Sequence, residues 1–188
     1  MSSTWLDIVG STIMGTLAIF LILKMNYQIS TNSNELTTNG MVLGNLSTLG
    51  SVMENDLYKI GYRISGDKIN QSTLNKFSYL TDLNNDGTAH TISYYLGDTS
   101  QAKFTANPND KPLYKVTDNG TPQTMGLLRD CQFTYYDSSG TQISDTSITG
   151  RRKVKILKVY LRYESGYLIN NYYQTAEYSR KIRPVNLK

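Results

Sequence analysis

The run from Trp5 to Leu23 constrains this chain more than any other feature. It is nineteen residues long and Asp7 is its only charged side chain. As an α-helix it rises about 28 Å, which matches the hydrocarbon core of a bilayer. A cleaved secretion signal carries basic residues ahead of a shorter apolar run and small residues at its end. Here no Lys or Arg precedes Lys24 and KMNYQIS follows, so the segment is expected to stay attached. Ser11, Gly15 and Ala18 recur three or four residues apart with Gly10 on their flank, a face of small residues that lets another helix approach closely. Asp7 has two readings. It lies in the interfacial region just outside a span that begins at Ile8, or it is drawn into an apolar bundle. At the centre of a span an unpaired Asp costs roughly 2.5 to 3.5 kcal/mol. There it would need a cation, and the available ones are a free amino terminus or a residue of another copy.

After Asn26 comes a polar stretch, YQISTNSNELTTNG, in which no Pro interrupts a helix; residues 1–107 contain none. Apolar residues then fall at Leu46, Leu49, Met53, Leu57, Ile60 and Ile64. Spacings of three and four predict an amphipathic helix over roughly 41–64, ending near Gly61 to Gly66 and needing a sheet to cover it. From Lys76 the period becomes two. KFSYLT, HTISYYLG, KPLYKVT, GLLRDCQFTYYD, KILKVYLRYES and GYLINNYYQTAEYS each read as one strand, separated by the turn signals NNDG, DNGT and DSSG. Asp118 to Thr121 and Asp137 to Gly140 are expected to close hairpins. The expected fold is α+β, a long N-terminal helix packed on an antiparallel β-sheet head. Its parts are a hydrophobic membrane or filament-core helix at 1–26, a helical stalk and amphipathic helix at 27–66, and the head at 67–188 with a basic C-terminal tail.

Charge is unevenly placed. Residues 1–150 carry nine Lys/Arg against thirteen Asp/Glu, and residues 151–188 carry ten against two, a net −4 against a net +8. Such polarity suits head-to-tail stacking of copies, nucleic acid or anionic lipid. The simpler reading, preferred here, makes Lys153, Lys155, Lys158 and Arg162 the solvated face of a strand.

Few residues suggest chemistry. Cys131 and His90 are each the only one of their kind, so the chain alone builds neither a Cys/His zinc site nor a disulfide, and CQFTYY reads as a strand that buries the thiol. DLNNDG, Asp82 to Gly87, matches the first half of a calcium loop, with donors at Asp82, Asn84 and Asp86. Its twelfth position is Ser93 where a bidentate Glu is wanted, so a turn is preferred to calcium, and no other cofactor is expected. No phosphate loop and no nucleophile elbow appears, so no enzyme is expected. The Tyr pairs 94/95, 135/136 and 172/173 alternate across strands, which puts one of each pair in the core. Asn45, Asn70 and Asn119 begin glycosylation sequons, patterns short enough to arise by chance.

STWLDI, Ser3 to Ile8, resembles the opening of type IV pilins and pseudopilins, which begin Phe-Thr-Leu-Ile-Glu with the acid fifth. Counted from Ser3, Asp7 is fifth, with Asp standing for Glu. No leader ending in Gly precedes it, so either a leader has already been removed or processing differs in this lineage. The order MENDLYKIGYRI, LTDLNNDGTAHTISYYLG, KPLYKVTDNG, LLRDCQFTYYDSSGTQI, KVKILKVYLRYES and SRKIRPVNLK, covering about residues 46–188, resembles the larger minor pilins and minor pseudopilins. The resemblance implies a bacterial structural subunit that is anchored in the inner membrane and then joins an extracytoplasmic or cell-surface filament. Its partners would be copies of itself or co-assembling pilin-like subunits. Assembly would use Asp7, pairing with the amino terminus of a neighbour, and the small face Gly10, Ser11, Gly15 and Ala18. The alternative is a membrane-anchored extracytoplasmic binding module for DNA, glycan or a protein, with nucleic acid the less favoured partner of the chain.

Overall fold

The computed structural model describes residues 2–187, and the side chains of 4–187. One α-helix, α1, covers Ser2–Tyr58, so the polar stretch after Asn26 is helical as its lack of Pro allows. By its internal contacts the chain divides at residue 38 into two units.

The first unit, residues 2–38, is helix alone. Its apolar side chains, from Trp5 to Ile29, are exposed. Its hydroxyls turn back onto the helix: Ser11 and Thr12 donate to the Ile8 carbonyl (2.9 Å each), Thr16 to Thr12 (2.8 Å) and Thr31 to Tyr27 (2.9 Å). These bonds satisfy polar groups that an apolar surrounding could not.

The second unit begins at residue 39 and, among the described residues, holds the rest of α1, nine strands, a short α-helix and two single 3-10 turns. Strands β1 (Ile69–Ser72), β2 (Lys76–Thr81), β3 (His90–Leu96), β4 (Lys111–Thr117) and β5 (Gln123–Leu128) form one sheet in that order. Strands β6 (Asp130–Tyr136), β7 (Gln142–Ile143), β8 (Ile156–Ile169) and β9 (Tyr172–Ile182) form a second, in the order β7-β6-β8-β9, and α2 (Ile148–Lys153) precedes β8. Every pairing is antiparallel. The α+β class therefore holds, but the head has two sheets where one was expected.

Two strands read as single from the sequence are split. GLLRDCQFTYYD breaks at Arg129, whose amide donates to the Arg162 carbonyl, so that β5 ends the first sheet and β6 enters the second. GYLINNYYQTAEYS folds back at Asn170 and Asn171, with φ of 52° and 67°, to make the β8–β9 hairpin. Asn accepts this left-handed backbone more readily than most residues. The hairpins at Asp118–Thr121 and Asp137–Gly140 form as expected.

The core lies where α1 meets both sheets. Val42, Leu46, Leu49, Met53 and Leu57 recur at helical spacing and are buried, and Ile60 continues them. Each such side chain removed from water contributes about 1.5 to 3 kcal/mol. Phe77 of the first sheet packs its ring, tilted, against Phe133 and Tyr135 of the second, with ring centroids 5.7 and 5.8 Å apart. Backbone bonding follows the same seam: the Phe133 amide donates to the Leu74 carbonyl (2.8 Å). The helix ends at Tyr58, earlier than expected, because Gly61 adopts φ +70° and donates its amide to Leu80 of β2.

Candidate functional site

The sequence-derived assembly residues all lie on the first unit's helix. At 100° per residue, Asp7, Gly10, Ser11, Gly15 and Ala18 share one side of α1, with Gly10 and Gly15 at its margins. A Cβ at Gly10 or Gly15 would meet nothing within 4 Å, so both glycines present bare backbone. Residues from Thr4 onward supply an 18-residue window of mean hydropathy 2.1, none of it buried. Its length and composition fit a membrane span or a secretion signal. The amino terminus, proposed partner of an acid like Asp7, lies outside the described residues.

In the head, three polar clusters organise the surface. Asp56, on the last turns of α1, accepts from Tyr94 Oη and from Lys115 Nζ, each at 2.5 Å, while its carbonyl accepts from Tyr79 Oη at 3.0 Å. Both tyrosine rings are buried, and burial pushes both phenols well above their ordinary range. Nothing local in the sequence marks this cluster, since its members lie 23 to 59 residues from Asp56.

Glu164 forms a second. It is buried and accepts from Asn109 (3.1 Å), Asn107 (3.4 Å) and Arg129 (3.1 Å), which ties the loop before β4 to β8. Asp110 nearby is buried and accepts from Thr105 at 2.5 Å; burial raises its carboxyl above the usual range.

The third includes the calcium-like loop. Asp82 is buried and its two oxygens accept from the loop's own amides, Asp86 and Gly87, at 3.2 Å each, with Arg63 3.6 Å away. Asn85 (φ 58°) and Gly87 (φ 82°) make the turn. Asp86 accepts from Thr88 at 2.7 Å, and that amide holds its carboxyl below the usual range. Among the described residues no three His, Cys, Asp or Glu side chains gather as a metal-binding group. Beside this loop His90 Nδ1 lies 2.5 Å from Asp118, whose hydrogen bond raises the imidazole above its ordinary value and lowers the carboxyl.

Of the tyrosine pairs, Tyr94 and Tyr135 are core while Tyr95 and Tyr136 are half-exposed, as alternation requires. Tyr172 and Tyr173 depart from this: both escape the core, because they follow the Asn170–Asn171 turn at the hairpin's end. Cys131 is buried, and burial pushes its thiol up to about 12, so it is inert. The basic residues do not share one strand face. Lys153 lies in α2 and Lys155 precedes β8; only Lys158 and Arg162 stand on the open face of the second sheet. There Lys158 sits directly opposite Lys181, and Arg162 between Asp130 and Glu177. Lys181 covers the Tyr136 ring at 4.6 Å.

Comparison of the chain with protein-family models, with curated proteins and with solved structures returned no match.

Proposed function

We propose that the chain is a structural subunit of a pilus-like or pseudopilus-like extracellular filament, anchored in a bacterial membrane before it assembles with copies of itself or with similar subunits. The reading is supported above all by the exposed apolar helix of the first unit, on which an acid and a run of small residues share one side. A span that met only lipid would need no such face. In a bundle of helices the small side chains permit close approach, and Asp7 sets register by finding a cation on a neighbour. The head then forms the outer surface.

Shearing cells and isolating the released fibres tests this. The protein should be found in the fibres. Asp7→Asn should reduce the sheared fraction at least tenfold while leaving the membrane-held amount unchanged, and Asp7→Glu should restore it. Protein that stays entirely with the membrane in every case sinks the proposal. A second reading, an anchored binding module, draws on the β8–β9 hairpin, whose end exposes Tyr167, Leu168 and Tyr172. That module would remain with the membrane on shearing.

A further inference from the structure

The two flanks of α1 in the second unit differ. At about 100° per residue, Thr48 and Val52 stand on the side opposite Gly50 and Glu54. On the first side a groove of about 410 Å³ opens between the helix and β5, the edge strand of its sheet, with walls of Leu49, Val52, Met125, Leu127 and Tyr163. On the other side runs β9. Tyr178 and Arg180 bond Glu54, and further on Asn186 donates to the Ile60 carbonyl, so β9 follows the direction of the helix. The end of the β8–β9 hairpin therefore points back toward residue 39. Six steps of strand from Tyr178 to Tyr172 cover about 20 Å, whereas six helical steps from Glu54 to Thr48 cover about 9 Å. The hairpin end thus reaches past the level of the groove, on the opposite flank. It presents Tyr167, Leu168 and Tyr172, which are 55%, 53% and 74% exposed. An apolar groove and an apolar knob on one small head are more than the scattered single side chains that an ordinary surface carries.

We propose that the groove of one copy receives the β8–β9 hairpin end of a second copy, with Tyr172 and Leu168 as the inserted side chains. The proposal rests on the filament reading. Subunits whose first helices pack side by side in one direction turn opposite flanks of their heads toward each other, so a knob on one flank meets a hole on the other. Knob and hole are different patches, which makes the contact head-to-tail and leaves every bound pair with one knob and one hole still open. Because the two lie at different levels along α1, each added copy is also stepped along the helix direction, and the chain of contacts does not close into a flat ring. Two tyrosines and a leucine bury about 400 to 600 Å². A stable pair needs roughly 800 Å² on each partner. The contact is therefore too small to hold two heads by itself, and it orients heads whose first helices already pack together.

Cross-linking of the full chain within sheared fibres tests it. Gly166→Cys stands beside the hairpin end, where a Cβ meets nothing within 4 Å, and Thr48→Cys stands on the rim of the groove. Cys131 is buried and does not compete. Treated with a short bismaleimide, the double variant should give a ladder that runs beyond dimers, each single variant should give no cross-link, and a mixture of the two single variants should give dimers alone. A double-variant ladder that stops at dimers overturns the proposal, because it marks a flank meeting itself. Fibres that contain the protein yet give no cross-link overturn it and leave the filament reading standing; protein that never leaves the membrane on shearing overturns both. Fibre yield is the second measure. Tyr172→Ser combined with Leu168→Ser, and Val52→Lys in the groove, should each lower it about tenfold or more. Ile148→Ser, exposed on α2 beside β1 at the far edge of the first sheet, should leave it unchanged. Unaltered yield in both the knob and the groove variants overturns the proposal.

Discussion

Asp56→Ala should cost the head about 3 kcal/mol. The carboxylate accepts from Tyr94 and from Lys115, and its own backbone, which receives Tyr79, survives the substitution. Asp56 and Lys115 side chains are 14% and 22% exposed, so the pair lies between a surface pair, worth about 0 to 1 kcal/mol, and a buried one, whose breakage costs about 3 to 5 kcal/mol. The Tyr94 hydroxyl, on a residue with no exposed surface, would lose its acceptor as well, which costs about 1 to 3 kcal/mol. Asp56→Asn keeps an acceptor for Tyr94 and removes only the charge, so it should cost about 1 to 2 kcal/mol. Near-ultraviolet circular dichroism reads the buried tyrosines of the head, with Trp5, Phe20 and Tyr27 of the first unit contributing equally in every head variant. In a head of this size each kcal/mol moves Tm by about 2 to 4 °C, which gives a fall of about 6 to 12 °C for Asp56→Ala. A double-mutant cycle with Lys115→Met isolates the ion pair from the Tyr94 bond. The reasoning fails if Asp56→Ala melts within 1 °C of the unaltered protein. Equal losses in the Ala and Asn variants would refute the part assigned to Tyr94.

His90 is the only histidine, so one imidazole signal in a magnetic-resonance titration reports it, and its midpoint should lie above 6.5 and fall back in Asp118→Asn. Because the folded value is raised, the stabilisation is fully present below pH 6.5 and disappears as pH rises through the folded value; a head that gains stability over that window would contradict this. Gly44→Ala and Gly50→Ala should move stability in opposite directions. A Cβ at Gly44 meets nothing, so the gain is the helix preference of about 0.5 to 1 kcal/mol, whereas at Gly50 it would fall 2.7 Å from the Tyr178 ring, which donates to Glu54. Urea unfolding midpoints check the pair, with a net loss of about 1 to 2 kcal/mol expected at Gly50.

Much of the architecture was legible in local pattern. Period 3.6 over Leu46 to Leu57 and period two over Lys76 to Thr117 placed the helix face and three strands, because side-chain direction repeats with backbone geometry. The Asn170–Asn171 reversal has a signal, two residues tolerant of positive φ between apolar flanks, but the β-rich residues on both sides of it continue the strand pattern. The break at Arg129 had none. No Gly, Pro or Asn stands at Arg129–Asp130 to mark a turn, and the switch occurs where Arg129 meets Arg162, a residue brought near only by folding.

Local order alone set the apolar first helix, with its acid and small residues on one side, since a helix needs no distant partner to define its faces. Long-range packing decided the division into two sheets, the gathering of Tyr94 and Lys115 on Asp56, and the groove that brings Leu49 beside Met125 and Tyr163. These are meetings of residues far apart in the chain. Their energies depend on burial and distance, which no spacing along a sequence contains.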